Sequence, residues 1–330
     1  MPSIAPRISA SRIGLLPVRL LAWIGRQGAR AIAALVFIGL AVPPLGAILK
    51  PYVTPAVFIL LCISFMRLDA DAMRGYLKRP GLVIAATVWT TIVVPMIAGL
   101  ISVGTGFNTL SPGLFLGVML QMVASPMMAA PALAALMGFD ATLVLVTLVT
   151  GTALIPLTAP IFAHVFFDGA LTLSPLALGG KLLAILGGAL LVAALVRWLA
   201  GAAAIARHKQ PIDGLNILVL LVFVSGVMEN VAATFWAEPL KMLGLTLLAF
   251  AVFLVLLGLT VLVFRGLGRP KAMALGLMVC QRNMGLMMAA TDGALPGLTW
   301  LYFALSQFPI YLSPLLLKPL VGRGVDTDRS

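Results

Sequence analysis

Ten long apolar runs, separated by short stretches of Gly, Pro or charged residues, dominate this chain of 330 residues. They cover residues 31–49, 52–66, 81–103, 111–137, 141–166, 177–199, 212–230, 241–264, 271–291 and 296–318. A helix that crosses the hydrocarbon core of a bilayer, about 30 Å thick, needs about 20 predominantly apolar residues. The runs therefore predict an all-α polytopic membrane protein with about ten transmembrane helices.

The composition argues against most soluble functions. Of all residues, 62% are hydrophobic and only 10% are charged, so the segments between the runs leave no room for a soluble domain. No nucleophile–base pair, metal-ligand cluster or pair of acids falls at the centre of a run. We therefore expect no enzymatic activity, no cofactor or metal and no nucleic-acid partner, with membrane lipid as the surroundings. A non-transporting sensor or an intramembrane enzyme is the minor alternative.

The basic residues are distributed unevenly between the two sides of such a membrane protein. If the N-terminus is cytoplasmic, Lys50, Lys181 and Lys241 fall on the opposite side and Arg282 falls within a run. All other basic residues, including Arg7, Arg12, Arg74, Lys78, Arg79, Arg323 and Arg329, fall on the cytoplasmic side. Because Lys and Arg stay preferentially in the cytoplasm, this asymmetry predicts cytoplasmic N- and C-termini. We expect the membrane to be a bacterial inner membrane.

Residues 1–30 alternate arginines such as Arg19 and Arg26 with apolar side chains such as Leu20 and Trp23. This alternation is typical of an amphipathic helix at the membrane surface. The alternative is a disordered basic tail.

Two runs carry helix-breaking residues at their centres. Ser125-Pro126 interrupts the fourth run, and Gln281-Arg282-Asn283 interrupts the ninth. Proline removes a backbone donor, and polar side chains can satisfy backbone groups that a break frees inside lipid. The alternative is a simple proline kink and an interhelical polar contact.

The two interrupted runs are five apart, and an odd number of spans makes the second half run opposite to the first. This pattern is typical of inverted-repeat transporters, whose substrate site forms where discontinuous helices meet. The expected organisation is a basic segment at 1–30, two five-helix repeats at 31–170 and 171–322, and a cytoplasmic tail at 323–330.

Arg282 would lie near the centre of a spanning helix, where a basic group costs about 2.5–3.5 kcal/mol. One interpretation is a structural ion pair with Glu229, near the end of the seventh run, or with Asp292, at the end of the ninth. The other is a fixed positive charge that attracts an anionic substrate or takes the place of a bound cation.

The candidate site residues are the polar groups at and near the two breaks. As substrate-binding residues we predict Arg282, Asn283, Gln281 and Ser125. As ion-binding or helix-crossing residues we predict Gln121, Thr150 and Thr152, with Thr147, Thr90 and Thr91 as further hydroxyl groups.

The residues around both breaks resemble a known family of transporters. The stretch 122–160, with Ala124-Ser125-Pro126, Gly138-Phe139-Asp140 and residues 150–157 reading TGTALIPL, resembles the fourth and fifth helices of the bile acid:sodium symporter family. Cys280-Gln281-Arg282-Asn283-Met284-Gly285-Leu286 resembles its broken ninth helix. The resemblance implies a divergent bacterial member that moves a small or amphipathic organic anion by alternating access.

This chain departs from that family at the sodium sites. Sodium-coupled members carry a glutamate just before the ninth-helix break, whereas this chain has Leu277-Met278-Val279 there. Ser125-Pro126 and Arg282-Asn283 likewise replace a Ser-Asn and a Gln-Asn pair. Because a hard cation gains from carboxylate ligands, the usual sodium sites are degenerate, with sodium or a proton as the candidate coupling ion. The alternative within the superfamily is an arsenite or metalloid exporter that would use Cys280.

Overall fold

The computed structural model describes residues 16–68, 80–167 and 171–322. These residues form an all-α protein without a β-strand, apart from an isolated bridge between Pro126 and Arg282. Several sequence predictions fall outside the described residues: those for Arg7 and Arg12, for Arg74, Lys78 and Arg79, for the repeat boundary at 170, and for the tail at 323–330.

The described helices follow one another with short connections. In chain order they are α1 (Leu16–Ala41), α2 (Pro43–Leu49), α3 (Val53–Met66), α4 (Pro80–Val88), α5 (Val94–Gly104), α6 (Phe107–Leu110), α7 (Pro112–Val123), α8 (Ala130–Leu136), α9 (Ala141–Phe166), α10 (Pro175–Ala200), α11 (Ala202–Arg207), α12 (Lys209–Val227), α13 (Val231–Ala237), α14 (Pro239–Val263), α15 (Arg269–Cys280), α16 (Met284–Ala290) and α17 (Gly297–Gly322). A 3₁₀ turn, Lys50–Tyr52, joins α2 to α3, and a π-helical segment, Trp89–Val93, joins α4 to α5.

Seven helical segments of the described residues are long and apolar enough to cross a membrane. They are Pro43–Met66, Pro80–Gly104, Ala141–Phe166, Pro175–Ala200, Lys209–Ala237, Pro239–Val263 and Gly297–Leu317, and the bent α1 would add an eighth. Their exposed surfaces are apolar: Leu157 is 66% exposed, Leu191 73% and Leu254 56%. Because side chains of this kind are exposed to lipid rather than to water, the chain is a multi-pass integral membrane protein.

The helix α1 bends sharply at Gly28, which has φ 51° and ψ −127°. Glycine lacks the β-carbon that makes this backbone conformation costly. The two arms, Pro17–Gly28 and Ala33–Ala41, lie at 109° to each other. The first arm crosses the start of α12 so closely that a β-carbon on Gly214 would lie 1.9 Å from the backbone oxygen of Leu21. The first arm is therefore packed on the start of α12. The predicted position of residues 1–30 at the membrane surface stays a prediction.

The expected boundary between the first two spans is wrong. The sequence predicts a break near Lys50, but Pro43–Met66 forms one 24-residue helical segment that includes the 3₁₀ turn. The chain breaks instead at Val42, which has φ −123° and ψ 70°. Proline disfavours the helical conformation of the residue before it, so Pro43 ends α1. Pro51 lies at the start of the 3₁₀ turn Lys50–Tyr52, within this segment.

Both predicted helix breaks are present. The first interrupted helix ends at Val123 and resumes at Ala130, and the second ends at Cys280 and resumes at Met284. The fragments pack crosswise, α8 against α15 and α7 against α16. We call residues 124–129 and 281–283 together the crossing.

Three lysines lie at one end of the helices, which we call the lysine end: Lys50, Lys181 and Lys241. Each lies beside a carboxylate, with Lys50 2.6 Å from Glu229, Lys241 2.8 Å from Glu238, and Lys181 paired with Asp292. At the opposite ends of the same helices, Arg67 lies 2.8 Å from Asp213 and Arg197 donates to the backbone oxygens of Met66 and Leu68. The residues predicted on opposite sides therefore lie at opposite ends.

Candidate functional site at the crossing of two broken helices

The two breaks are joined by backbone hydrogen bonds. The backbone N–H of Met127 donates to the oxygen of Gln281 over 2.7 Å, and the N–H of Asn283 donates to the oxygen of Ser125 over 2.8 Å. These bonds form the antiparallel bridge between Pro126 and Arg282. A break in a spanning helix frees backbone groups that lipid cannot satisfy. At the crossing, freed backbone groups of each break hydrogen-bond to those of the other break.

The Arg282 side chain is buried at the crossing, with 1% of its surface exposed. Its Nη1 donates to the backbone oxygen of Ala124 over 2.9 Å and to that of Thr90 over 3.2 Å. Ala124 follows α7, and the last carbonyls of a helix lack intrahelical partners. The guanidinium therefore ties the second break to the first and to the π-helical segment.

The carbonyl of Thr90 is free to accept because of the local sequence. In an α-helix it would accept from the N–H of Val94, but that N–H donates to Trp89 instead, in the π-helical pattern. The next residue, Pro95, has no N–H. The π-helical segment thus presents an unsatisfied carbonyl to the guanidinium, which agrees with the frequent occurrence of such segments at functional sites.

No carboxylate of the described residues pairs with Arg282. The alternative of an ion pair with Glu229 or Asp292 is wrong, because Glu229 lies beside Lys50 and Asp292 beside Lys181, both at the lysine end. A buried charge is usually paired because removing it from water is costly. Within residues 16–68, 80–167 and 171–322, the Arg282 side chain meets backbone carbonyl dipoles and no carboxylate.

Several polar atoms at or beside the crossing are buried without a hydrogen-bond partner among the described residues. They are Nε and Nη2 of Arg282, Oε1 of Gln281, and the hydroxyls of Ser125, Thr147 and Thr152. Buried polar groups are hydrogen-bonded in the large majority of cases. A bound water or a polar ligand would supply the missing partners.

The predicted substrate-binding residues meet at the crossing but differ in what they can still bind. The hydroxyl of Ser125 and two nitrogens of Arg282 are unengaged. The Nε2 of Gln281 donates to the hydroxyl of Ser313 over 2.7 Å, which leaves its Oε1 free. Asn283 caps α16, since its Oδ1 accepts from the N–H of Leu286 over 3.1 Å. The side chain of Asn283 therefore has a structural role in this state.

The predicted ion-binding or helix-crossing residues also separate into two groups. Gln121 accepts a hydrogen bond from the Tyr302 hydroxyl, and the hydroxyls of Thr150 and Thr87 lie 2.8 Å apart. Both are contacts between helices. Thr152 is buried and its hydroxyl is unengaged.

Thr147 and Thr152 flank the point where α9 approaches the first break. A β-carbon on Gly151 would lie 3.4 Å from Thr91 Cγ2 and 3.9 Å from Pro126 Cδ. Thr147 precedes Gly151 by one helical turn and shares its face. The two hydroxyls thus belong to the helix that packs beside the crossing.

Two residues of α17, Tyr302 and Ser313, were not predicted from the sequence. Their hydroxyls form hydrogen bonds with the side chains of Gln121 and Gln281. The available signal was a tyrosine and a serine within an apolar run, since a buried hydroxyl needs a partner.

A pocket of about 490 Å³ at the lysine end was also not predicted. Lys50, Lys241, Asn230 and Trp300 contribute to its lining. The Nζ of Lys50 lies 5.5 Å from the centre of the Trp300 ring. The pocket is partly open and is lined by both polar and apolar side chains, and its lysines are paired with carboxylates.

In comparisons with known proteins, the chain matches no family model and no curated protein sequence. Its function is therefore inferred from the geometry of the crossing.

Proposed function

We propose that the protein is a secondary transporter that moves a small or amphipathic organic anion across the membrane by alternating access. The observation that carries this proposal is the buried, acid-free guanidinium of Arg282 at the crossing of two broken helices. A basic group at this depth costs about 2.5–3.5 kcal/mol. A transported anion would offset that cost, and the unengaged donors around Arg282 would bind it.

The proposed architecture has ten spans in two inverted five-helix repeats, at 31–170 and 171–322. The seven straight segments, the bent α1 and the two interrupted helices supply these ten spans. Packing between helices supports the repeat, because contacts in one half have equivalents in the other. The packing of α1 on α12 corresponds to that of α10 on α3, α9 on α10 to α17 on α1, and α4 on α9 to α14 on α17.

The proposed orientation places the lysine end outside and both termini in the cytoplasm of a bacterial cell. The support is the gathering of Lys50, Lys181 and Lys241 at one end, with Arg67 and Arg197 at the other. Positively charged residues accumulate on the cytoplasmic side of membrane proteins. We also propose that the chain is a divergent relative of the bile acid:sodium symporter family, on the residues that resemble it at both breaks.

Coupling to sodium by ligands at the crossing is not part of this proposal. The guanidinium of Arg282 would repel a cation, and Leu277, Met278 and Val279 before the second break offer no side-chain oxygen. Exchange, proton coupling or uniport would each work with a fixed positive charge.

Counterflow in proteoliposomes tests the proposal. Vesicles loaded with an unlabelled bile acid, keto acid or sulfonated anion should accumulate the labelled form of the same anion, and Arg282→Gln should strongly reduce this accumulation. Lys181→Gln, which removes the same charge from the exposed lysine end, is the matched control. If no anion of the panel exchanges, the proposal fails.

A metalloid exporter is the second candidate, because Cys280 lies directly before the second break. Its thiol is buried and donates to the backbone oxygen of Leu277 over 3.1 Å. A thiolate ligand for arsenite would have to leave this hydrogen bond. Unchanged arsenite tolerance after Cys280→Ser in an expressing strain would remove this candidate.

A further inference from the structure

We propose that the transported anion is a monocarboxylate, and that the edge of Arg282 formed by Nε and Nη2 binds both carboxylate oxygens. This inference rests on the proposed transport function and adds the chemical class of the substrate. The guanidinium of Arg282 already donates hydrogen bonds to two backbone carbonyls.

Among the residues that the structure describes, one nitrogen of the Arg282 guanidinium forms hydrogen bonds. Nη1 donates to the carbonyls of Ala124 and Thr90, and Nε and Nη2 have no partner in the described part of the chain. The N–H bond of Nε and one N–H bond of Nη2 point in the same direction along one edge of the planar group. Their spacing matches the two oxygens of a carboxylate, which such an edge binds through two parallel hydrogen bonds.

The hydroxyls of Ser125, Thr147 and Thr152, on the first break and on the helix beside it, would add donors for the bound carboxylate. Ser125 directly follows Ala124, whose carbonyl accepts from the guanidinium. Thr147 and Thr152 flank the point where α9 meets the first break. A carboxylate oxygen has a second lone pair after it accepts from the guanidinium, and a hydroxyl can donate to it. The unengaged Oε1 of Gln281 is an acceptor, so it would face a hydroxyl or N–H of the substrate rather than its carboxylate.

The charge of the site favours one negative charge on the substrate. Arg282 is the single charged side chain of the described residues at the crossing, and no carboxylate pairs with it. One bound carboxylate balances this charge, whereas a phosphate, a sulfate or a dicarboxylate would bring a second, unbalanced charge into a buried region.

The planar edge further distinguishes a carboxylate from a sulfonate. A carboxylate places all of its charge on two oxygens that can both meet the edge. A sulfonate spreads the same charge over three oxygens in a tetrahedral group, so one oxygen lies outside the plane of the guanidinium. We expect matched carboxylates to bind more tightly than sulfonates.

Matched ligands and matched arginine variants test the inference on the full-length protein. The probes are benzoate, benzenesulfonate and benzamide, together with the glycine and taurine conjugates of cholate, which differ in their terminal acid group. Binding is measured by the rise in the thermal unfolding midpoint of the purified protein, and transport by counterflow. We expect at least one carboxylate to act at a concentration about 10-fold lower than its sulfonate partner, and the amide to have no effect.

The variants separate charge from geometry. Arg282→Lys keeps the charge but lacks the two-point edge, so it should bind both acids weakly and without the 10-fold preference. Arg282→Gln should bind both acids about 10- to 100-fold more weakly than the unmodified protein. Lys181→Gln should behave as the unmodified protein.

The outcomes distinguish this inference from the proposed function. If carboxylate and sulfonate partners exchange equally well, or if Arg282→Lys retains the preference, the carboxylate inference is overturned and anion transport stands. If no anion binds or exchanges, both are overturned.

Discussion

The crossing and the lysine end differ in the groups that balance their positive charges. At the lysine end, Lys50 and Lys181 are partly exposed and each lies beside a carboxylate. At the crossing, Arg282 is buried and meets only backbone carbonyls in the described structure. Exposed pairs contribute about 0–1 kcal/mol to stability, whereas a buried charge without a counter-ion is costly. The lysine end therefore balances these charges within the protein, whereas the proposed anion would balance the charge at the crossing.

The largest expected effect is that of Arg282→Gln on anion binding. Hydrogen bonds to charged groups are worth about 1.5–3 kcal/mol, so the affinity for a transported anion should fall by about 10- to 100-fold. Binding is measured by competition in the counterflow assay. Elution as a single monodisperse species in size-exclusion chromatography would show that the variant is folded. An affinity within twofold of that of the unmodified protein would make Arg282 a structural residue.

The next effect concerns stability. Tyr302→Phe removes the hydroxyl that donates to Gln121 and leaves a buried acceptor unsatisfied. This loss should reduce the free energy of unfolding by about 1–3 kcal/mol. Thermal unfolding in one detergent, scanned at one rate, measures the change. An unchanged midpoint would mean that water or another side chain replaces the tyrosine.

Thr152→Val should leave stability unchanged and lower the affinity for the anion. The threonine hydroxyl has no partner in the described residues, so a side chain of similar shape should leave the thermal midpoint unchanged. If the hydroxyl donates to the anion, the affinity should fall by about 2- to 10-fold, the equivalent of about 0.5–1.5 kcal/mol. A lower midpoint with unchanged affinity would assign Thr152 to packing instead.

The smallest effect is expected from Lys50→Gln at the lysine end. Its pair with Glu229 is partly exposed, so both stability and anion affinity should change little, by about 0–1 kcal/mol in the first case. The same assays apply, repeated at low and high salt because exposed charges are screened. A tenfold loss of affinity would place a binding step in the pocket at the lysine end. It would contradict the view that the anion binds at the crossing and not at the lysine end.

The sequence predicted both helix breaks because their signals are local. Pro126 removes a donor and Gln281-Arg282-Asn283 is a polar cluster within an apolar run, and the structure breaks at both places. The break at Val42 was missed because the charge of Lys50 suggested a boundary. The deciding physical effect was the steric restriction that Pro43 imposes on the residue before it.

The partners at the crossing could not be predicted in the same way. Tyr302 and Gln121 are 181 residues apart, and their pairing depends on how α17 packs against α7. The carbonyl of Thr90 is an intermediate case. Its availability follows from Pro95, a local signal, but its acceptance of a bond from Arg282 follows only from the fold.

The short bridge between Pro126 and Arg282 constrains how such a protein can move. Pulling the breaks apart would expose the N–H groups of Met127 and Asn283 and the two carbonyls that they reach, all in an apolar interior. Each unsatisfied group would cost about 1–3 kcal/mol. The bridge thus holds the two interrupted helices together at their midpoints. In the proposed transport cycle, the bridge would therefore stay intact while the surrounding helices rotate about it.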